Sequence, residues 1–153
     1  MEKVSLQYTA GFVDGEGCIR IDKSYPKKRS IHYKLQIIVV NTNLEILTLF
    51  KEQFGGHLYR RIHKGREAYY WSMYCQDAEE FVKVILPFLV IKKPQAELAL
   101  QFQESKKMGK PTPSRPLDQD ELDLREAYYQ QMKELNARKP VETTKECLTE
   151  TMV

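Results

Sequence analysis

The sequence has few of the features that mark secreted, disulfide-bonded or membrane-spanning proteins. It contains three cysteines, and Cys18, Cys75 and Cys147 are widely separated, without the spacing of zinc ligands. This usage predicts a reducing compartment and no zinc site. No apolar run approaches the roughly 18 residues of a membrane-spanning helix, and residues 1–4 lack a signal-peptide pattern. We therefore expect an intracellular protein of an organelle or a prokaryotic cytoplasm, neither secreted nor bound to a membrane.

The excess of positive charge is small but unevenly distributed. The net charge is +3, with 15 Lys/Arg against 10 Asp/Glu in residues 1–93 and 9 against 11 in residues 94–153. The stretch 20–34 contains six Lys/Arg and a single acidic residue, Asp22. A concentrated basic stripe is typical of a surface that binds a phosphate-rich partner. On charge alone, a solvated strand face explains the stripe equally well.

Hydrophobic periodicity predicts one α+β domain over residues 1–140, followed by a poorly ordered tail over 141–153. The predicted order is α-β-β-α-β-β-α, in which two hairpins form a four-stranded antiparallel, saddle-shaped sheet with helices on its apolar side. Asp77 is expected to cap the helix that begins at Ala78, and Pro94 to begin the next one. The predicted helices span 4–16, 44–54, 78–86, 94–107 and 117–137, and the strands span 18–24, 31–40, 57–63 and 67–74.

The alternation of side chains in both hairpins predicts one apolar and one basic sheet face. In the second hairpin the phase is ambiguous because aromatic residues occupy both faces, and a slip of one residue would exchange them. Trp71 is assigned to the basic face, whereas Tyr70 and Tyr74 are assigned to the core. The residues predicted on the basic face are Arg20, Asp22, Ser24, His32, Lys34, Gln36 and Ile38 in the first hairpin and Tyr59, Arg61, His63 and Trp71 in the second.

The most unusual segment is residues 9–17, TAGFVDGEG. Each helical Gly costs about 1 kcal/mol relative to Ala, so several together require a reason, such as close contact between two backbones. Asp14 and Glu16 lie near the predicted end of the helix, where unpaired carbonyls and the helix dipole disfavour a carboxylate. A divalent cation at this place would reverse that preference.

Residues 10–17, AGFVDGEG, resemble the LAGLIDADG motif of homing endonucleases, with Thr9 in place of the usual Leu and Glu16 in place of the usual final Asp. The resemblance extends over about residues 5–105 in motif and element order, and it implies the predicted fold. Because the chain has one motif, it also implies a homodimer through the motif helix, since two strands require two active sites. The implied interface residues are Ala10, Gly11, Asp14 and Gly15.

The resemblance implies a metal-dependent nuclease site. In the family the last acidic residue of the motif binds metal and the preceding residue offers its carbonyl, which here are Glu16 and Gly15, while Asp14 is mainly structural. Residues 87–92, PFLVIK, resemble the segment whose Lys lies near the scissile phosphate, so Lys92 is the match, although Lys93 leaves the assignment open. Mg²⁺ or Mn²⁺ is the implied cofactor, and Ca²⁺ is expected to bind without supporting cleavage.

One further catalytic position is implied at the end of the second strand. A polar amide that orients water often lies there in the family, and Asn41 matches it, although it fits a turn residue or a helix cap equally well. Some relatives have a basic residue shortly afterwards, but residues 43–45 are Asn, Leu and Glu. The chain therefore lacks a basic side chain that some relatives have in the outer part of the catalytic site.

Double-stranded DNA is the expected partner, because a β-ribbon fits the major groove and presents alternate side chains to base edges. The turn residues Lys27, Lys28 and Arg29 are expected to contact phosphates, and Lys64 and Arg66 lie at the second turn. The alternatives are an intron-splicing maturase that binds RNA, or a DNA-binding protein that does not cleave. A protein without a nucleic-acid partner is supported only by the modest net charge.

Overall fold

The computed structural model describes residues 2–27, 31–108 and 117–137. Lys28, Arg29 and the tail 141–153 lie outside the described residues. The helices are α1 (Leu6–Glu16), α2 (Leu44–Phe54), α3 (Cys75–Ile85), α4 (Lys93–Met108) and α5 (Gln119–Asn136), with a 3₁₀ turn at Leu86–Phe88 between α3 and α4. The strands are β1 (Gly17–Ser24), β2 (His32–Asn41), β3 (His57–His63) and β4 (Arg66–Tyr74).

The four strands form one antiparallel sheet in the order β1-β2-β4-β3, which confirms the predicted architecture. Gly17 pairs with Val39, Ile38 pairs with Ser72, and Tyr59 pairs with Tyr70. Residues paired directly across two antiparallel strands point to the same side of the sheet. This register therefore determines which side chains of all four strands share a face.

The helices cover one face of the sheet, and the core lies between them. The apolar side chains of β1 and β2 alternate as predicted, since Ile19, Leu35 and Ile37 are fully buried and Ile21 is 4% exposed. They pack with α1, α3 and α4, while α5 lies along β1. The opposite face has no helix on it and contains most of the charged residues of the strands.

Trp71 shows that the predicted phase of β4 was wrong. Its side chain is fully buried, and its ring lies 5.4 Å from Phe50 and 5.2 Å from Phe81, centroid to centroid. The indole N–H donates to the carbonyl of Gly55 over 2.8 Å. A Cβ on Gly56, which has φ of +88°, would lie 3.0 Å from the Trp71 nitrogen, so glycine is needed for this close approach.

The same one-residue difference moves the tyrosines of β4 out of the core. Because Trp71 pairs with the buried Val39, its neighbours Tyr70 and Ser72 must point to the opposite face. Tyr74 is 37% exposed there. The prediction of Tyr70 and Tyr74 as core residues was therefore wrong.

The start of α3 also differs from the prediction. β4 passes directly into the helix at Cys75, which has φ of +50°, and the N-cap residue Tyr74 makes no side-chain capping bond. Asp77 lies inside the first turn, where a carboxylate interacts favourably with the helix dipole. It therefore does not cap the helix.

Helix α5 is held on the edge strand β1 by an ion pair and side-chain hydrogen bonds. Glu126 accepts from Lys23 Nζ at 2.8 Å and from the Tyr33 hydroxyl, and these two contacts lower the pKa of Glu126 to about 2. Asn136 donates to the carbonyl of Ile19 over 2.9 Å. The helix thus covers part of a strand edge that would otherwise expose unpaired backbone groups.

None of the described helices has the length and apolarity required to cross a membrane.

Candidate functional site

The carboxyl end of α1 continues directly into β1. The helix ends at Glu16 and the strand begins at the next residue, so no loop separates them. The Gly17 N–H donates to the carbonyl of Val13. A Cβ on Gly17 would lie 2.8 Å from that carbonyl oxygen, which is too close for any other residue. Gly17 therefore fixes the direction in which β1 leaves the helix.

Asp14 connects this helix end to a segment far along the chain. Its carboxylate, 9% exposed, accepts from the backbone N–H of Val90 over 2.8 Å and from that of Lys92 over 2.9 Å. Backbone donors that are buried without an acceptor are costly, and a carboxylate satisfies two of them here. These contacts agree with the structural role expected for Asp14.

Lys92 also contacts the carboxyl end of α1. Its Nζ donates to the backbone carbonyl of Asp14, one of the last carbonyls of α1, which lack intrahelical donors. A cation is also favoured there by the helix dipole. Lys93 is exposed and begins α4, with no hydrogen bond to α1. Of the two lysines that the sequence leaves open, the structure brings Lys92 to the motif.

We expect Asp14→Asn to lower the free energy of unfolding by about 2 kcal/mol, because an amide nitrogen would face one of the two backbone donors. Urea denaturation measures the change. Asp77→Asn is the matched control, since Asp77 is exposed, and it should change stability by less than about 0.5 kcal/mol. Equal stability of the Asp14 variant and the wild type would contradict the role of this carboxylate.

Glu16 is exposed and makes no hydrogen bond or ion pair with any described residue. Its carboxylate and the carbonyl of the exposed Gly15 lie at the helix end that Lys92 approaches. Oxygen ligands suit Mg²⁺, which retains several waters and needs only one or two carboxylates. Residues 2–27, 31–108 and 117–137 contain no cluster of three or more His, Cys, Asp or Glu suited to a metal ion. Within one protomer Glu16 and Gly15 therefore offer two oxygen ligands, and an ion held by them would have to keep several waters.

Cys18 follows Glu16 on β1 and belongs to the same surroundings. Burial raises the pKa of its thiol, while the positive charges of Arg20 and Lys92 act in the opposite direction. The thiol therefore stays protonated near neutral pH and is a weak metal ligand.

Asn41 has a structural role at the end of β2. Its Oδ1 accepts from the backbone N–H of Asn43 over 2.8 Å, and Asn43 in turn caps α2 by accepting from Ile46 N over 3.2 Å. The pairing of Gly17 with Val39 places this strand end beside the end of α1. The turn function is thus present, and the catalytic role of Asn41 stays a prediction.

Tyr8, Gly11 and Gly15 form an exposed stripe along the outer side of α1. A Cβ on Gly11 or Gly15 would meet nothing within 4 Å, and Tyr8, 51% exposed, lies on the same helical stripe. Val90 and Ile91, 80% and 69% exposed, lie alongside because Asp14 binds their segment. Ala10 and Asp14, which are also predicted at the dimer interface, are buried within the protomer, so Gly11 and Gly15 are the exposed members of that set.

The uncovered face of the sheet carries most of the residues predicted to bind DNA. The register shows which residues share this face. They are residues 20, 22 and 24 of β1; residues 32, 34, 36 and 38 of β2; Tyr59, Arg61 and His63 of β3; and Arg66 of β4. Lys27 is exposed beyond the end of β1, and Lys64 forms the β3–β4 turn with φ of +50°. Trp71 is absent from this face.

Gln36 differs from the expectation, because it is 4% exposed rather than free to reach a base. Its Oε1 accepts from Arg20 Nε over 2.6 Å and its Nε2 donates to the Tyr74 hydroxyl over 3.0 Å. Tyr70 and Tyr74, which were predicted in the core, are further members of this face. The pairing of Tyr59 with Tyr70 in a tight hairpin is the signal that would have identified them.

The order of helices and strands, the motif helix and the segment around Lys92 all match the pattern of a known family. A sequence model described as LAGLIDADG endonuclease matches residues 9–108, from α1 to the end of α4. This chain belongs to the LAGLIDADG endonuclease family. The match includes the motif, all four strands and Lys92.

Individual relatives agree with this assignment. This LAGLIDADG endonuclease is 28% identical over 120 residues to DNA endonuclease I-CreI of Chlamydomonas reinhardtii, which covers 76% of this chain and 72% of the relative. The homing endonuclease I-CvuI in complex with the I-CreI target has a similar fold, with a TM-score of 0.73, 20% identity and coverage of 95% and 92%. The archaeal intron-encoded homing endonuclease I-Vdi141I complexed with DNA has a TM-score of 0.72, 14% identity and the same coverage.

Proposed function

We propose that this LAGLIDADG endonuclease is a homodimeric homing endonuclease of the intron-encoded type. It binds a long pseudo-palindromic DNA site in the major groove and hydrolyses one phosphodiester on each strand with divalent metal. The observation that supports this most directly is that Lys92 Nζ donates to the carbonyl of Asp14, at the end of the motif helix formed by Gly15 and Glu16. A free carboxylate and a tethered ammonium in contact with the same helix end are suited to a metal and a phosphate.

The catalytic roles follow from what each group can do. Glu16 and the Gly15 carbonyl would hold Mg²⁺ or Mn²⁺, which supplies an activated water and stabilises charge on the phosphate when bound. Lys92 is fixed by its bond to the Asp14 carbonyl, so its ammonium group would offset negative charge at a phosphate brought to this end. Asp14 positions Lys92 through the backbone and does not itself contact substrate.

The dimer would form through the outer stripe of α1. Gly11 and Gly15 expose the helix backbone, while Tyr8, Val90 and Ile91 provide apolar surface beside it. Small residues allow close approach of two helices, and exposed apolar patches mark contact surfaces. A twofold axis through this stripe would bring the two Glu16 side chains near each other, one for each DNA strand.

The DNA would lie on the uncovered sheet face. This face has Arg20, Lys34, Arg61 and Arg66 against one acidic residue, Asp22, so its charge attracts phosphates. The relatives I-CvuI and I-Vdi141I are both described in complex with DNA. A face of alternating side chains on antiparallel strands suits the major groove of B-DNA, whereas the major groove of A-form RNA is too narrow to be read.

The proposed function is tested with the purified protein and a library of randomised duplexes in Mg²⁺, Mn²⁺, Ca²⁺ or a chelator. We expect selected duplexes to be cut on both strands in Mg²⁺ or Mn²⁺, and to be bound but uncut in Ca²⁺. Binding without cleavage under every condition would show a non-cleaving DNA-binding protein. Selective binding to structured RNA in place of DNA would show a maturase.

A further inference from the structure

Arg20 is held in a fixed orientation by a row of side chains that crosses the open face of the sheet. Arg20 pairs with Gln36, and Gln36 pairs with Tyr74, so three strands contribute one residue each. Arg20 Nε donates to the Gln36 Oε1 over 2.6 Å, and the other end of that amide donates to the Tyr74 hydroxyl over 3.0 Å. Gln36 is buried, so both ends of its amide are used to hold its neighbours. The two terminal nitrogens of Arg20 bond to no residue within 2–27, 31–108 and 117–137 and are left for an outside acceptor.

Arg61 is held by a different device at the opposite edge of the same face. The rings of Tyr59 and Tyr70 are stacked, with centroids 5.4 Å apart and planes at 11°. The carbon of the Arg61 guanidinium lies 5.1 Å from the first ring and 5.2 Å from the second. Ala68, directly across from Arg61, leaves room for the guanidinium. Stacking on aromatic rings orients an arginine without using its N–H groups.

The neighbouring Arg60 differs from Arg61, because its guanidinium forms an ion pair within the hairpin. It points to the other side of β3, and its Nη1 lies 3.0 Å from Glu67 Oε1. Its charge is therefore compensated within the hairpin. Arg61 makes no ion pair or hydrogen bond with a described residue, so its donors are available.

We propose that Arg20 and Arg61 are two fixed guanine readers, with Gln36 and the Tyr59–Tyr70 stack as the positioning residues that hold them. This inference rests on the proposed function, because it places the open face in a DNA major groove. Guanine presents two acceptors there, N7 and O6, which match two N–H groups of one guanidinium. An arginine that is already ordered loses less side-chain freedom when it binds.

The sheet register also predicts the separation of the two guanines. Arg61 is level with Ala68 of β4, and Arg20 is level with Tyr74, which is six residues further along that strand. At about 3.3 Å per residue and about 4.8 Å between strands, the two side chains begin about 25 Å apart. With about 3.4 Å per base pair, we expect guanine preferences about seven base pairs apart in each half of the target.

The test is the base preference at every position of the target, measured by selecting bound duplexes from a randomised library in Ca²⁺. The wild type should prefer guanine at two positions of each half-site. Arg20→Ala should lower the preference at one of them by about tenfold or more, and Arg61→Ala should do so at the other. Loss of affinity that is uniform over all positions would overturn the inference, as would two guanines at adjacent positions.

The positioning residues have matched controls. Gln36→Leu removes the acceptor for Arg20 and should abolish only the first guanine preference, whereas Gln36→Glu retains an acceptor and should preserve it. Tyr70→Ala should weaken only the second preference, whereas Tyr70→Phe retains the stacked ring and should preserve it. Arg60→Ala should leave both unchanged. If the wild type selects no duplex, the proposed function fails. If it selects a sequence that these variants do not alter, this inference alone fails.

Discussion

Replacement of Glu16 by Gln is expected to lower the rate of DNA cleavage by at least about 100-fold, the usual loss when one electrostatic group that acts on the transition state is removed. Gln has the size of Glu but no charge, so it is a poor ligand for Mg²⁺ or Mn²⁺. The side chain is exposed and makes no hydrogen bond or ion pair with the described residues, and stability should therefore be unchanged. Cleavage is followed under single-turnover conditions with saturating protein.

DNA affinity separates a catalytic effect from a structural one. In a chelator the Glu16→Gln protein should bind its target at least as well as the wild type, because two carboxylates near the phosphates repel them when no metal is present. Glu52→Gln is the matched control, since Glu52 is exposed on α2, and it should cleave normally. Cleavage by the Glu16 variant at the wild-type rate would remove Glu16 from the site.

Gly11→Leu is expected to convert the proposed dimer to a monomer and to abolish cleavage of both strands. Within one protomer the added Cβ meets nothing within 4 Å, so the fold should tolerate the substitution. In the dimer each chain would insert an isobutyl group between two closely packed helices, and such overpacking costs about 1–3 kcal/mol at each site. Sedimentation equilibrium measures the association.

The control for this substitution is Ala127→Leu, which adds apolar bulk to the exposed side of α5. That protein should remain a dimer and cut both strands. If Gly11→Leu still sediments as a dimer, the contact does not pass through the stripe of Tyr8, Gly11 and Gly15. Circular dichroism should show the same helix content in both variants.

The sequence predicted the architecture because most elements have a clear periodicity. In β1 and β2 the apolar residues alternate without interruption, so Ile19, Leu35 and Ile37 are assigned to the core from spacing alone. In β4 residues 69, 70, 71 and 74 are all aromatic, and spacing gives no phase. The burial of Trp71 depends on its packing against α2 and α3 and on the Gly55 carbonyl, which are distant or loop contacts.

In the candidate site, too, some residues can be predicted from local sequence and others depend on distant contacts. The motif residues Gly15 and Glu16 were identified from a local pattern, and their position at a helix end follows from it. The choice of Lys92 over Lys93 depends on bonds to Asp14 across 78 positions of sequence. The burial of Gln36 likewise depends on a tyrosine 38 positions away, and no local pattern contains that partner.

The direct passage of α1 into β1 has a consequence for how a nuclease of this shape can acquire new targets. Glu16 and Arg20 belong to one unbroken segment, so a shift of β1 on the DNA would also move Glu16, the proposed metal ligand. The β3–β4 hairpin lies at the far edge of the sheet and is joined to β1 only through β2. In the proposed complex with DNA, substitutions in that hairpin would therefore disturb Glu16 least, so the hairpin can acquire new base contacts while the opposite edge strand, β1, keeps the cut in place.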